Sequence, residues 1–134
     1  MTSQRFGMRK GMRDMASSSE EDYLRTVYEL SLKTVRVRSA DVARALGVSK
    51  PSVHRALSNL EAAGYLTQER YSPVELTKSG IEEGKRLSER YQTVMRFLEE
   101  TLGVDKEEAQ VEAHNLEHSL TPSTLQKLRD FLDS

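Results

Sequence analysis

The sequence predicts a mostly α-helical chain with one small hairpin, on three observations. Apolar residues recur at helical spacing through most of its 134 residues. The runs open on Ser, Thr or Asp and several close on Gly, residue types that satisfy the backbone groups left over at helix ends. Only between Tyr65 and Leu76 does the pattern change to alternation about a polar turn.

The elements follow in order. Residues 1–16 carry Arg5, Arg9, Lys10 and Arg13 with little apolar pattern, and are expected to form a flexible basic arm. Ser17, Ser18 and Ser19 before Glu20 and Glu21 give two overlapping capping-box patterns, so a first helix starts there and runs through Tyr23, Leu24, Val27 and Tyr28 to Ser31. Ser39 is read as the N-cap of a second helix, with Val42, Ala43 and Leu46 facing a core and Gly47 ending it. Ser49 caps a third helix with Pro51 in its first turn, where a missing N–H does no harm. Its buried stripe is Val53, Leu57 and Leu60; Lys50, Ser52, His54, Arg55 and Asn59 face outward, and Gly64 stops it. Tyr65, Thr67 and Glu69 alternate with Leu66, Gln68 and Arg70 as one strand, Tyr71-Ser72-Pro73 turns, and residues 74–76 return. Thr77 caps a long helix over 78–102, ended by Gly103. Asp105 opens another to about Leu120, and Thr121-Pro122 starts a last one ending near Leu132.

A helix, a Gly turn, a second helix with a basic outer face and a hairpin together make a winged helix-turn-helix, whose second helix fits the DNA major groove. A helical pair packed for structural reasons alone would share parts of this pattern; the agreement of caps, turn, outer charge and hairpin favours DNA binding. The expected domains are the arm at 1–16, the winged helix-turn-helix at 17–77 and an all-helical dimerisation and metal-binding domain at 78–134. Ile81, Leu87, Tyr91, Val94, Met95, Phe97 and Leu98 are too many apolar positions for one narrow stripe. Val94, Phe97 and Leu98 are therefore expected to serve both a core and a two-fold homodimer contact.

The net charge of −1 conceals a polarity. Residues 34–70 hold six bases (Arg36, Arg38, Arg44, Lys50, Arg55, Arg70) against Asp41, Glu61 and Glu69, whereas 99–134 hold nine acids against Lys106, Lys127 and Arg129. The basic half suits phosphates and the acidic half repels them or holds cations. The absence of cysteine excludes disulfides and thiolate metal sites. No apolar run approaches a membrane span and no signal peptide is visible, so a cytoplasmic protein without a membrane partner is expected.

His114, Glu117 and His118 fall at i, i+3 and i+4 and would share one helix face. Two imidazoles and a carboxylate suit a divalent transition metal: Mn, Fe, Co or Zn. A polar helix face that pairs two histidines by chance would look the same. The residues also match H-x-x-E-H, the pattern of inverted zinc hydrolases in which the glutamate activates water. That reading requires a third ligand and a large cleft.

The segments EEDYLRTVYEL, VRSADVARALGVSKPSVHRALSNLEAAGYL, VELTKSGIEEGKRL and EAHNLEHSLTPSTLQKL, which span nearly everything from Glu20 onward, resemble the DtxR/MntR family of metal-dependent transcriptional repressors. The likeness is to its short, manganese-type members without the SH3-like domain. It implies a homodimer, not an enzyme, that binds metal and then grips a double-stranded DNA operator. It places Ser49, Pro51, Ser52, His54 and Arg55 at the groove-facing start of the recognition helix; Ser39, Lys50 and Arg70 complete the expected DNA contacts. Asp22, Glu117 and His118 match the family's metal ligands, and His114 stands where Glu or Cys is usual. The expected site is thus one metal per subunit on Asp22, His114, Glu117 and His118. Two positions depart from the family pattern: Tyr91 replaces a usual histidine, and Arg25 replaces Glu or Met. A guanidinium cannot ligate, but it can bridge Asp22 or Glu117 in the metal's place. The same fold with metal-independent control therefore stands as the second reading.

Overall fold

The structure is a computed structural model and describes residues 18–134; the basic arm expected over 1–16 and the capping position Ser17 lie outside the described residues. Two compact units divide the chain, the first ending at Lys85 and the second beginning at Arg86.

The first unit contains α1 (Ser18–Ser31), α2 (Ser39–Leu46), α3 (Lys50–Ala62), the strands β1 (Leu66–Thr67) and β2 (Glu75–Leu76), and the first turns of α4 (Lys78–Arg96). The three helices pack pairwise. Leu24, Val27, Val42, Val53, Leu57 and Leu60 lock them together, each at most 1% exposed. Burying one such side chain contributes about 1.5–3 kcal/mol relative to leaving it in water. Gly47 takes the left-handed conformation (φ 67°) as expected, letting the Val48 N–H reach back to Ala43 O at 3.1 Å and close the end of α2.

The α2 cap differs from expectation. Ser39 is already helical; Arg38 occupies the N-cap. Arg38 has no side-chain acceptor, so the start of the helix is fixed from the other side: Asp41 Oδ2 accepts the Arg38 backbone N–H at 2.9 Å.

The hairpin is also shorter than its alternation suggests. β1 and β2 pair antiparallel over two residues each, Leu66 with Leu76 and Thr67 with Glu75. The Ser72 N–H donates to Glu69 O at 3.0 Å, so the turn begins inside the expected strand, and Tyr71 sits at φ 64°. One extra rung comes from before α2, where the Val74 N–H donates to Val37 O at 2.8 Å. Thr77 Oγ1 caps α4 by accepting the Gly80 N–H at 3.1 Å, and donates to Gly64 O. Gly80 is obligatory: a Cβ there would stand 1.8 Å from Tyr65 O.

The second unit holds the rest of α4, a π-helical turn (Phe97–Thr101), α5 (Lys106–Leu116) and α6 (Pro122–Asp133). Its core is Val94, Met95, Leu98, Ala109, Ala113 and Leu125. Regular helix was expected to Leu102. Instead the Leu102 N–H donates to Phe97 O at 3.2 Å, five residues back, which widens the last turn. In an unbroken helix Met95, Leu98 and Leu102 would line one stripe; the wide turn takes Leu102 off it, 58% exposed. Helix α5 also ends early, at Leu116 rather than near Leu120. Asp105 and Thr121 cap α5 and α6 as expected, accepting from Glu108 and Thr124 N–H groups. Beside Asp133, and also Glu100, the Arg96 guanidinium is held above its ordinary pKa, tying α4 to the end of α6. No helix among the described residues is long and apolar enough to cross a membrane.

Candidate functional site

The start of α3 is one part of the site. Ser49 Oγ accepts the Ser52 N–H at 3.3 Å and donates to Ser52 Oγ at 3.0 Å, fixing the first turn. Lys50, Pro51, His54 and Arg55 are exposed around it and Ser52 is half-buried. Unsatisfied N–H groups make a helix start electropositive, so the lysine and arginine reinforce a field already suited to phosphate. Asn59, also expected to face outward, is exposed but donates to Glu20 Oε2 at 2.6 Å, pinning α3 to α1.

A groove of about 610 Å³ runs between the start of α2, α3 and the hairpin. Ser39, His54 and Arg70 line it together, whereas Ser49, Lys50, Pro51, Ser52 and Arg55 do not. Arg38, read from the sequence only as one base of the basic half, and Tyr71, read only as a turn residue, line it too. The Arg70 guanidinium carbon lies 5.2 Å from the centroid of the Tyr71 ring, a cation–π stack at the hairpin tip. Tyr71 is 87% exposed and carries the one positive φ of a non-glycine residue among the described residues. The available sequence signal is a tyrosine beside an arginine in a Ser-Pro turn.

The expected metal ligands divide between the units. Asp22 is 8% exposed on α1, where Arg25 Nη2 donates to its Oδ1 at 3.4 Å. Arg25 also pairs with Glu29 at 3.8 Å, so the cation of α1 is held by carboxylates of its own helix. In the second unit, His114 lies in the last turn of α5, Glu117 is its C-cap and His118 is in the turn beyond. The helix ends between them, yet the Glu117 N–H still donates to Ala113 O and keeps the helical path. The rings of His114 and His118 stand edge to face with centroids 5.8 Å apart. Tyr91 packs half-buried against the core of that unit.

Arg90 is the residue sequence reasoning missed here. Its Nε donates to Glu117 Oε1 at 3.1 Å and its Nη2 to His118 Nδ1 at 3.3 Å. Glu117 is 1% exposed, so this is a buried ion pair. Nothing local signals a pair separated by 27 positions. The sequence offers Arg25 as a cation for Asp22 or Glu117; Arg25 pairs with Asp22, and Arg90 is a cation that pairs with Glu117. The same geometry removes the hydrolase reading, because a water-activating glutamate needs access to solvent and Glu117 is sealed in against a guanidinium.

A winged helix-turn-helix joined to a helical unit with a histidine–carboxylate cluster defines a class: a DNA-binding regulator with a metal centre. Comparison with known proteins makes this specific. Residues 15–74 match the family model "Iron dependent repressor, N-terminal DNA binding domain", and 77–134 match "Iron dependent repressor, metal binding and dimerisation domain". The chain belongs to this family, the DtxR/MntR repressors, and is a metal-responsive transcriptional regulator, not an enzyme. It is 34% identical over 118 residues to an HTH-type transcriptional regulator of Methanocaldococcus jannaschii, covering 87% of this chain and 94% of that one. It is 32% identical over 118 residues to the regulator MntR of Bacillus subtilis, covering 88% and 82%. Among solved structures, T. acidophilum IdeR matches with a TM-score of 0.76 at 28% identity over 90% of this chain, and ScaR with bound Zn2+ with 0.67 at 29% over 85%. The chain spans 56% and 53% of those two chains.

Proposed function

We propose that the chain is a homodimeric repressor of metal-homeostasis genes that reads a two-fold operator and is controlled by one divalent transition metal per subunit. The observation that carries the metal reading is the imidazole pair His114 and His118 at the end of α5, edge to face with ring centroids 5.8 Å apart; Glu117, adjacent to His118 in the chain, is the carboxylate that the sequence adds to that pair. Asp22 is the fourth ligand that the family resemblance implies. This donor set fits a transition metal and favours nitrogen-preferring ions, so Zn and Co bind more tightly than Mn. A bound metal supplies a fixed divalent charge to which these side chains are tied. His114 and His118 then hold the end of α5 in one arrangement, and the population shifts toward that arrangement by the difference in affinity between states.

On the DNA side, Arg55 is proposed to contact a base edge from the outer face of α3, since a guanidinium can bond guanine twice. Ser49, Lys50, Pro51, Ser52 and His54 seat the helix start against phosphate and groove. Ser39 and Arg70 add contacts from the groove between α2 and the hairpin. Two such heads related by a dimer axis read half-sites about 34–36 Å apart. The metal reading is tested by calorimetric titration of Zn, Co, Fe(II) and Mn into chelator-stripped protein. Zn and Co should bind at one equivalent per subunit and His114→Ala should weaken both; absence of binding by all four metals would overturn it.

A further inference from the structure

The guanidinium of Arg90 lies where the metal centre is read, and its contacts set a chemical conflict. A guanidinium only donates hydrogen bonds. In the 3.3 Å contact with Arg90 Nη2, His118 Nδ1 is therefore the acceptor, and the ring proton is on Nε2. A metal needs a ring nitrogen without a proton. If it takes Nδ1, it takes the atom Arg90 holds. If it takes Nε2, the proton must move to Nδ1, and two donors then face each other. Either way the Arg90–His118 contact breaks. Glu117 adds to the conflict, because its Oε1 lies 3.1 Å from Arg90 Nε at a site 1% exposed, where like-charged cations repel with little screening.

We propose that Arg90 is a tethered cation that occupies the metal-free centre, and that metal binding and the Arg90–His118 contact exclude each other. Arg90 thereby sets the metal concentration at which the regulator responds, and α4 feels the metal through the side chain it releases. The inference rests on reading His114, Glu117 and His118 as ligands. The opposite role for Arg90 is a donor behind the ligands that orients Glu117 and strengthens metal binding. The two roles predict opposite signs.

The test is Zn2+ titrated by calorimetry, with a competing chelator, into full-length wild type and Arg90→Met. Competition predicts that R90M binds Zn2+ about tenfold more tightly, a coupling within the usual range for linked sites. It also predicts that Zn2+ raises the melting temperature of R90M by more than that of wild type. Equal or weaker binding by R90M overturns the proposal. Should R90M fail to fold without metal, Arg90→Lys provides the same comparison: it keeps the charge, lacks the planar two-donor reach, and should bind Zn2+ more tightly than wild type. Long-range 15N–1H spectra of the metal-free wild type give an independent reading, with His118 protonated on Nε2; protonation on Nδ1 overturns the proposal. If wild type and variants all fail to bind Zn2+, this inference falls, and the metal reading falls with it when Co, Fe(II) and Mn also fail to bind. Zn2+ binding with equal affinity in all of them sinks the inference alone.

Discussion

Arg55 is exposed on α3 five residues beyond Lys50, and the two cations ask different things of DNA. A base-edge contact carries sequence information and a phosphate contact does not. Arg55→Ala should lose about 1–3 kcal/mol of specific binding and relax the preferred sequence, whereas Lys50→Ala should weaken all duplexes alike and flatten the salt dependence by about one charge. Fluorescence anisotropy against selected and scrambled duplexes at several salt concentrations measures both; an unchanged preference in R55A contradicts the register of α3. Tyr71 sets a trade-off between stability and binding. Its φ of 64° is strained for an aromatic residue, and its ring stacks under Arg70. Tyr71→Gly should stabilise the fold by about 1 kcal/mol by removing that strain while weakening DNA binding, because Arg70 loses its support. Urea denaturation and anisotropy on one preparation separate these effects, and a destabilised Y71G contradicts the account of strain.

At the level of elements, legibility followed range. The caps Ser49, Thr77, Asp105 and Thr121 were readable because a cap involves residues three positions apart. Helix α5 and the hairpin strands were expected too long because periodicity continues past the point where tertiary contacts stop it. The Ser72–Glu69 turn cuts β1, and the π-helical turn at Phe97 shifts the stripe of α4. The Arg90–Glu117 pair was invisible for the same reason: only the fold brings its partners together. Two glycines on α4 belong to this level as well. A Cβ at Gly80 would meet Tyr65 O at 1.8 Å, and one at Gly84 would meet Tyr28 Cβ at 2.6 Å. Gly80→Ala gains helix propensity but must push a backbone carbonyl aside, so a net loss of about 1–3 kcal/mol is expected. Chemical denaturation checks it; a stabilised G80A would mean that the close packing of α4 on the hairpin is wrong.

At the level of the molecule, assembly and response remain to be joined. Val94, Phe97 and Leu98 are expected to serve both core and dimer; at 0% and 5% exposure Val94 and Leu98 are consumed by their own unit, whereas Phe97 packs on that core only half-buried. The large apolar side chains that the second unit leaves exposed are Leu102, Val111 and Phe131, at 58%, 65% and 57%. They are the better candidates for a contact in a domain whose family description includes dimerisation. Analytical ultracentrifugation should find a dimer for wild type at concentrations of about tens of micromolar. Phe131→Glu should weaken it strongly without unfolding the chain, since an unpaired charge buried at an interface costs about 3–5 kcal/mol.

The most direct measurement of the central claim is anisotropy of one duplex, selected by the protein from a random pool, titrated with chelator-stripped protein with and without Zn2+ at fixed salt. A metal-responsive repressor built on His114, Glu117 and His118 should bind at least about tenfold more tightly with the metal, a coupling typical of two linked sites, and chelator should reverse the gain. His114→Ala should lose most of the difference while keeping the metal-free affinity. Identical affinity with and without metal, for a protein shown to bind the ion, would contradict the account.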